Sequence, residues 1–80
     1  MNLAGNERQI HIGEQKRLQK AVAERVYQVC KNPEKRPGVF KQIYSALKSR
    51  YNVGSYKEIQ QRKMQDALRF IAHWDVDGRT

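Results

Sequence analysis

Cysteine, proline, aromatic residues, acidic residues and long apolar runs are all scarce in this 80-residue chain. Each scarcity excludes something. One cysteine, Cys30, excludes an internal disulfide framework and fits a reducing compartment. A membrane-spanning helix needs about 18 consecutive apolar residues, and no run approaches that in a chain of mean hydropathy −0.91. Met1-Asn2-Leu3-Ala4-Gly5-Asn6 has neither a basic leading region nor an apolar stretch, so no secretory signal is expected and the cytoplasm is the expected compartment. With 39% hydrophobic and 9% aromatic residues, the chain can bury one modest core. A single small domain follows.

Catalytic groups are equally thin. A nucleophile, a base and an orienting group must converge for covalent or acid–base chemistry. His11 falls near the start of the chain, His73 near its end, and Cys30 at the end of an apolar stripe. Cys30 reads as a small buried residue rather than a reactive thiolate. One cysteine and two distant histidines cannot close a zinc site. Asp75 and Asp77 beside Gly78 lack the further ligands of a calcium loop. No Gly-rich phosphate or dinucleotide loop is present. The expectation is a protein that is not an enzyme and carries no cofactor and no metal.

What the chain does contain is positive charge. Sixteen Lys+Arg stand against eight Asp+Glu, for a net charge of +8. The excess is +4 in each half of the chain, so no basic tail accounts for it. Such a balance points to a polyanionic partner, and nucleic acid is the commonest.

The hydrophobic pattern is helical throughout. Residues 1–12 show no sustained period and read as a flexible N-terminal arm. Leu18, Val22, Val26 and Val29 recur at spacings of four, four and three, one stripe of a helix from Glu14 to Cys30. Three valines lower its intrinsic propensity, so packing must hold it. Asn32-Pro33-Glu34-Lys35-Arg36-Pro37-Gly38 reads as a connection, because two prolines break a helix. Phe40, Ile43, Tyr44, Leu47 and Tyr51 then mark a second helix from about Val39 to Tyr51. Asn52-Val53-Gly54 ends it, since Asn and Gly tolerate the left-handed conformation. Ser55-Tyr56-Lys57-Glu58 has the form of a capping box that opens a short helix from Tyr56 to about Gln60. Met64, Ala67, Leu68, Ile71 and Trp74 form the inward stripe of a last helix from about Lys63 to Trp74. The chain therefore reads as one helical domain over residues 13–74 with a tail at 75–80. No alternating pattern supports a strand, and the class is all-α, with three to four helices. Leu18, Val26, Phe40, Leu47, Ile59, Leu68 and Ile71 are the expected core.

Helix, turn, short capped helix, turn and longer helix is the outline of a helix-turn-helix variant. In that arrangement the last helix enters the major groove by its first turn. Gln61, Arg62, Lys63, Gln65 and Arg69 then become candidate DNA contacts, because Arg matches guanine and Gln matches adenine through paired hydrogen bonds. Lys57 and Lys48 are candidate phosphate contacts, and Lys16, Arg17 and Lys20 a second basic ridge. The competing reading of this outer face is a solvated surface in which Arg62, Asp66 and Arg69 pair with one another. The aromatic stripe Phe40, Tyr44, Tyr51 and Tyr56 reads as core rather than as a platform for stacked bases.

The segment from Ile43 to Ile59, with its Tyr44-Ser45-Ala46-Leu47-Lys48-Ser49-Arg50 run and its Ser55-Tyr56-Lys57-Glu58-Ile59 turn, together with Ala67-Leu68-Arg69-Phe70-Ile71, resembles the ORF6C family, the C-terminal domain of phage antirepressor and ORF6-type regulatory proteins. The resemblance extends over most of the chain. Tyr51-Asn52 stands where family members often have Phe-Gly, a change of turn chemistry that Asn can satisfy. The resemblance implies a DNA-binding regulatory domain of a temperate phage or prophage, acting in the cytoplasm of a bacterial host. The alternative is a protein-interaction module that binds a repressor or other regulatory protein, or self-associates as a homodimer.

Overall fold

A computed structural model describes residues 8–76. The remainder of the expected arm, residues 1–7, and residues 77–80 of the expected tail, with Asp77 and Gly78, lie outside the described residues. Among the described residues there are three α-helices: α1 Ile12–Val29, α2 Arg36–Tyr51 and α3 Met64–His73. They are joined through 3-10 turns at Pro33–Lys35, Tyr56–Glu58 and Gln61–Lys63. The protein is a small all-α domain, and α1 packs against both α2 and α3. Among the described residues no helix is long and apolar enough to cross a membrane.

α1 starts earlier than its apolar stripe predicts, because His11 caps it. The His11 Nδ1 atom accepts from the amides of Gly13 and Glu14, at 3.1 and 3.4 Å. The Glu14 carboxylate returns to the His11 amide at 3.0 Å, which completes a capping box. A Cβ on Gly13 would lie 3.1 Å from the imidazole Cε1, so a residue with a side chain there would press on the capping ring. Leu18, Val22 and Val26 are fully buried, and Val29 packs at the edge of the core.

The connection after α1 is shorter than its two prolines suggest. Pro33 opens the 3-10 turn, with the Asn32 side chain accepting from the Glu34 amide at 3.0 Å. Pro37 lies in the first turn of α2, where its missing N–H has no helical partner to lose. α2 accordingly begins at Arg36 rather than Val39. Its buried residues are Val39, Ile43 and Leu47, and Phe40 is only partly covered. At the other end Asn52 adopts φ 54°, ψ 50°. The Val53 amide donates to the Lys48 carbonyl at 3.0 Å and the Asn52 amide to Ser49 at 3.3 Å. This is the Schellman closure that an Asn or Gly permits.

The expected short helix at 56–60 contracts to a single 3-10 turn, followed by extended backbone at Ile59 and Gln60. Glu58 reaches the Gly54 amide at 3.0 Å rather than that of Ser55, and the Ser55 hydroxyl accepts from Lys57 at 3.2 Å rather than from Glu58. The extended stretch has a partner. Gln9 and Gln60 form an isolated antiparallel bridge, with Ile10 N–H to the Ile59 carbonyl and Gln61 N–H to the Arg8 carbonyl, both at 2.8 Å. Ile10 is 3% exposed and belongs to the core. Residues 8–11, expected to be part of a flexible arm, are therefore a strap laid across the turn that leads into α3. Met64, Ala67, Ile71 and Trp74 complete the core, while Leu68 is partly covered. The Arg25 side chain in α1 donates to the Trp74 carbonyl at 2.7 Å, which fixes the far end of α3.

Candidate nucleic-acid interface

The Schellman turn directs the chain away from the axis of α2, and the strap holds residues 59–61 so that α3 starts beside the end of α2. Between them lies an open groove of about 830 Å³. Arg50, Tyr51 and Asn52 form one wall; Gln60, Arg62, Lys63 and Asp66 form the other, with Glu58 at the turn between them. Arg62 and Lys63 are exposed, and Arg62 Nε donates to the Gln60 side-chain oxygen at 3.0 Å.

Asp66 is the hub of this groove. Arg50 Nε and Nη2 donate to its two oxygens at 3.1 and 3.2 Å, and the Tyr51 hydroxyl donates at 2.5 Å. The hydrogen bonds from Arg50 and then Tyr51 hold the Asp66 carboxyl at a pKa of about 2, well below the usual carboxylate range. Burial, and next the bond to Asp66, push the Tyr51 phenol up to about 12. The Arg50 guanidinium also lies 4.8 Å from the Phe70 ring centre and 5.7 Å from that of Tyr51. The pairing weighed from the sequence, Arg62 or Arg69 with Asp66, does not form; the partner comes from α2.

The structure divides the candidate contacts. Arg62 and Lys63 line the groove. At about 100° per residue along α3, Asp66 and Phe70 fall on the flank that meets Arg50. Gln65 and Arg69 are exposed on the other flank. Gln61 is half-buried, and its amide nitrogen donates to Glu14 of α1 at 3.1 Å, a link between elements rather than a free reading group. Lys48 borders a smaller hollow of about 210 Å³ with Tyr44, Gly54, Ser55 and Tyr56, and Lys57 is exposed on the adjoining turn. Tyr44 and Tyr56 stack at a tilt of 45°, 5.2 Å apart, and Gln19 of α1 donates to the Tyr56 hydroxyl. Lys16, Arg17 and Lys20 are exposed on α1, and none of them lines the groove.

The sequence reading overlooked Arg50. It sits one residue before the end of the α2 stripe, and the sign that could have marked it is the Arg50-Tyr51 pair ahead of a left-handed Asn. Cys30 is buried, its thiol donating to the Asn32 carbonyl at 3.4 Å, and the adjacent Arg36 guanidinium lies 4.2 Å over the Tyr27 ring.

A family model described as the ORF6C domain matches residues 1–80, the whole chain. Neither the curated proteins nor the solved structures give a significant match.

Proposed function

Because the chain belongs to the ORF6C family, whose character is that of a phage-type regulatory domain, we propose that it binds duplex DNA and acts in the transcription regulation of a phage or prophage, in the manner of an antirepressor domain. The observation that carries this reading is the basic groove at the start of α3, where Arg62 and Lys63 stand exposed in the 3-10 turn Gln61–Lys63. Gln65 and Arg69 extend that surface along α3, and Lys57 on the preceding turn and Lys48 near the end of α2 add positive charge. Lys16, Arg17 and Lys20 form a separate ridge that a bent or second duplex segment would meet. The role is binding rather than catalysis.

A protein-docking face is less well supported. The large exposed apolar residues among those described are Ile12, Tyr27 and Val76. Ile12 and Tyr27 stand about 22 Å apart along α1 at 1.5 Å per residue, so they make no common patch.

Titration of a duplex at several salt concentrations tests the proposal. With about five to seven phosphates neutralised, log K falls against log salt with a slope of about −5 to −6. Absence of binding at about 50 mM salt overturns the reading. So does a duplex RNA that competes better than DNA of the same sequence.

A further inference from the structure

We infer that Arg50 is a phosphate-recognising residue of the groove, and that Asp66 is the positioning residue that holds it for a phosphodiester. This deepens the DNA-binding reading and rests on it. Arg50 is 43% exposed in its side chain, yet it is not a free surface arginine. Asp66 takes Nε and Nη2 from one edge of the guanidinium, and the Phe70 and Tyr51 rings flank it. That leaves Nη1, on the edge turned from Asp66, for a ligand. A planar guanidinium fixed on one edge meets an oxyanion with little further loss of side-chain freedom.

The surroundings favour an anion of the backbone type over a base edge. Lys63 and Arg62 line the same groove, and a lysine offers a compact point charge suited to a phosphate. Glu58, the other acid of the groove, has its carboxylate turned to the Gly54 amide at 3.0 Å. Asp66 is likewise engaged by three donors. Both anions are therefore occupied within the protein, and the cations Arg62 and Lys63 are left facing the groove. A phosphate contact positions a duplex without selecting sequence, so Arg50 sets affinity and register rather than specificity.

The experiment uses the full chain and two mixed-sequence duplexes unrelated to each other. Arg50→Gln is expected to weaken binding to both by the same factor, about tenfold, and to make the salt slope shallower by about 0.9. Arg50→Lys, which keeps the charge and loses the paired hydrogen bonds, is expected to lose most of that affinity. Lys41→Gln, exposed on α2 and not among the residues that line the groove, serves as the control for loss of one charge and changes little. Asp66 is tested by a double-mutant cycle. In the Arg50→Gln background, Asp66→Asn tightens binding two- to fivefold, because an anion beside phosphates is removed. With Arg50 present, the same substitution gives no gain, because positioning is lost as the charge is relieved. Melting curves taken on each variant separate binding from folding. Binding by Arg50→Lys equal to the unaltered protein, or an equal gain from Asp66→Asn in both backgrounds, overturns this inference alone. Absence of binding by the unaltered protein overturns the DNA-binding reading and this inference with it.

Discussion

The Asp66 carboxylate receives three donors, two from Arg50 and one from Tyr51. Its depressed pKa makes this cluster a part of the fold that responds to acid. A carboxyl held near 2 when folded, against about 3.9 when unfolded, contributes stability that is fully present above pH 4. That contribution disappears as pH falls from about 4 to about 2. Its size stays within about 0.2–1 kcal/mol, because both side chains face solvent. Asp66→Asn is thus expected to lower the melting temperature at pH 7 by a few degrees, and the gap from the unaltered protein should close by pH 2. Tyr51 acts at the opposite end of the scale. Its raised pKa means stability is lost as pH rises from 10 to about 12. Thermal melts across both windows check the signs, and a gap that persists undiminished at pH 2 contradicts the assignment.

At the level of elements, the strap is the least expected part of the fold. Four residues from Arg8 to His11 carry no period of their own, and their partner at 59–61 lies near the far end of the sequence. Local pattern holds no information on such a pairing. The stripes of α1 and α3 were legible because 3.6-residue periodicity is local, and the left-handed stop at Asn52 because its chemistry belongs to a single residue. The boundaries were less so. Pro37 marked a break by its identity, yet it occupies a first-turn position that spares it the usual penalty. The cap at His11 escaped notice because histidine stands outside the usual Ser, Thr, Asp and Asn set. Exposure to solvent at the α3 face was legible; the division of that face into two flanks was not, because it depends on where α2 ends. Ile10→Ala tests the strap: it is expected to cost about 2–5 kcal/mol, read from urea unfolding. A midpoint unchanged by that substitution shows that the strap contributes no packing.

For the molecule as a whole, the core is one cluster shared by the three helices and the strap. Leu47 is fully buried at its centre, on the helix that also carries Arg50. Leu47→Ala is expected to cost about 2–5 kcal/mol, a large part of the stability available to a domain this small. Near-ultraviolet circular dichroism and a melting curve check it, and an unchanged melt shows the core to be misplaced. Two of the seven expected core residues were misplaced. Phe40 and Leu68 sit at the margin, while Val39 and Ile10 take inner places. Periodicity identifies a stripe, but which side of that stripe is deepest follows from the angle at which a neighbour crosses it.

The strap also changes the topology of the chain. Pairing Gln9 with Gln60 turns α1, α2 and their connections into a closed ring, with α3 outside it. Small secreted domains obtain ring closure from a cystine, at an entropic cost that grows only with the logarithm of loop length. Here the clasp is one apolar side chain and a pair of backbone hydrogen bonds, so the closure does not depend on redox state.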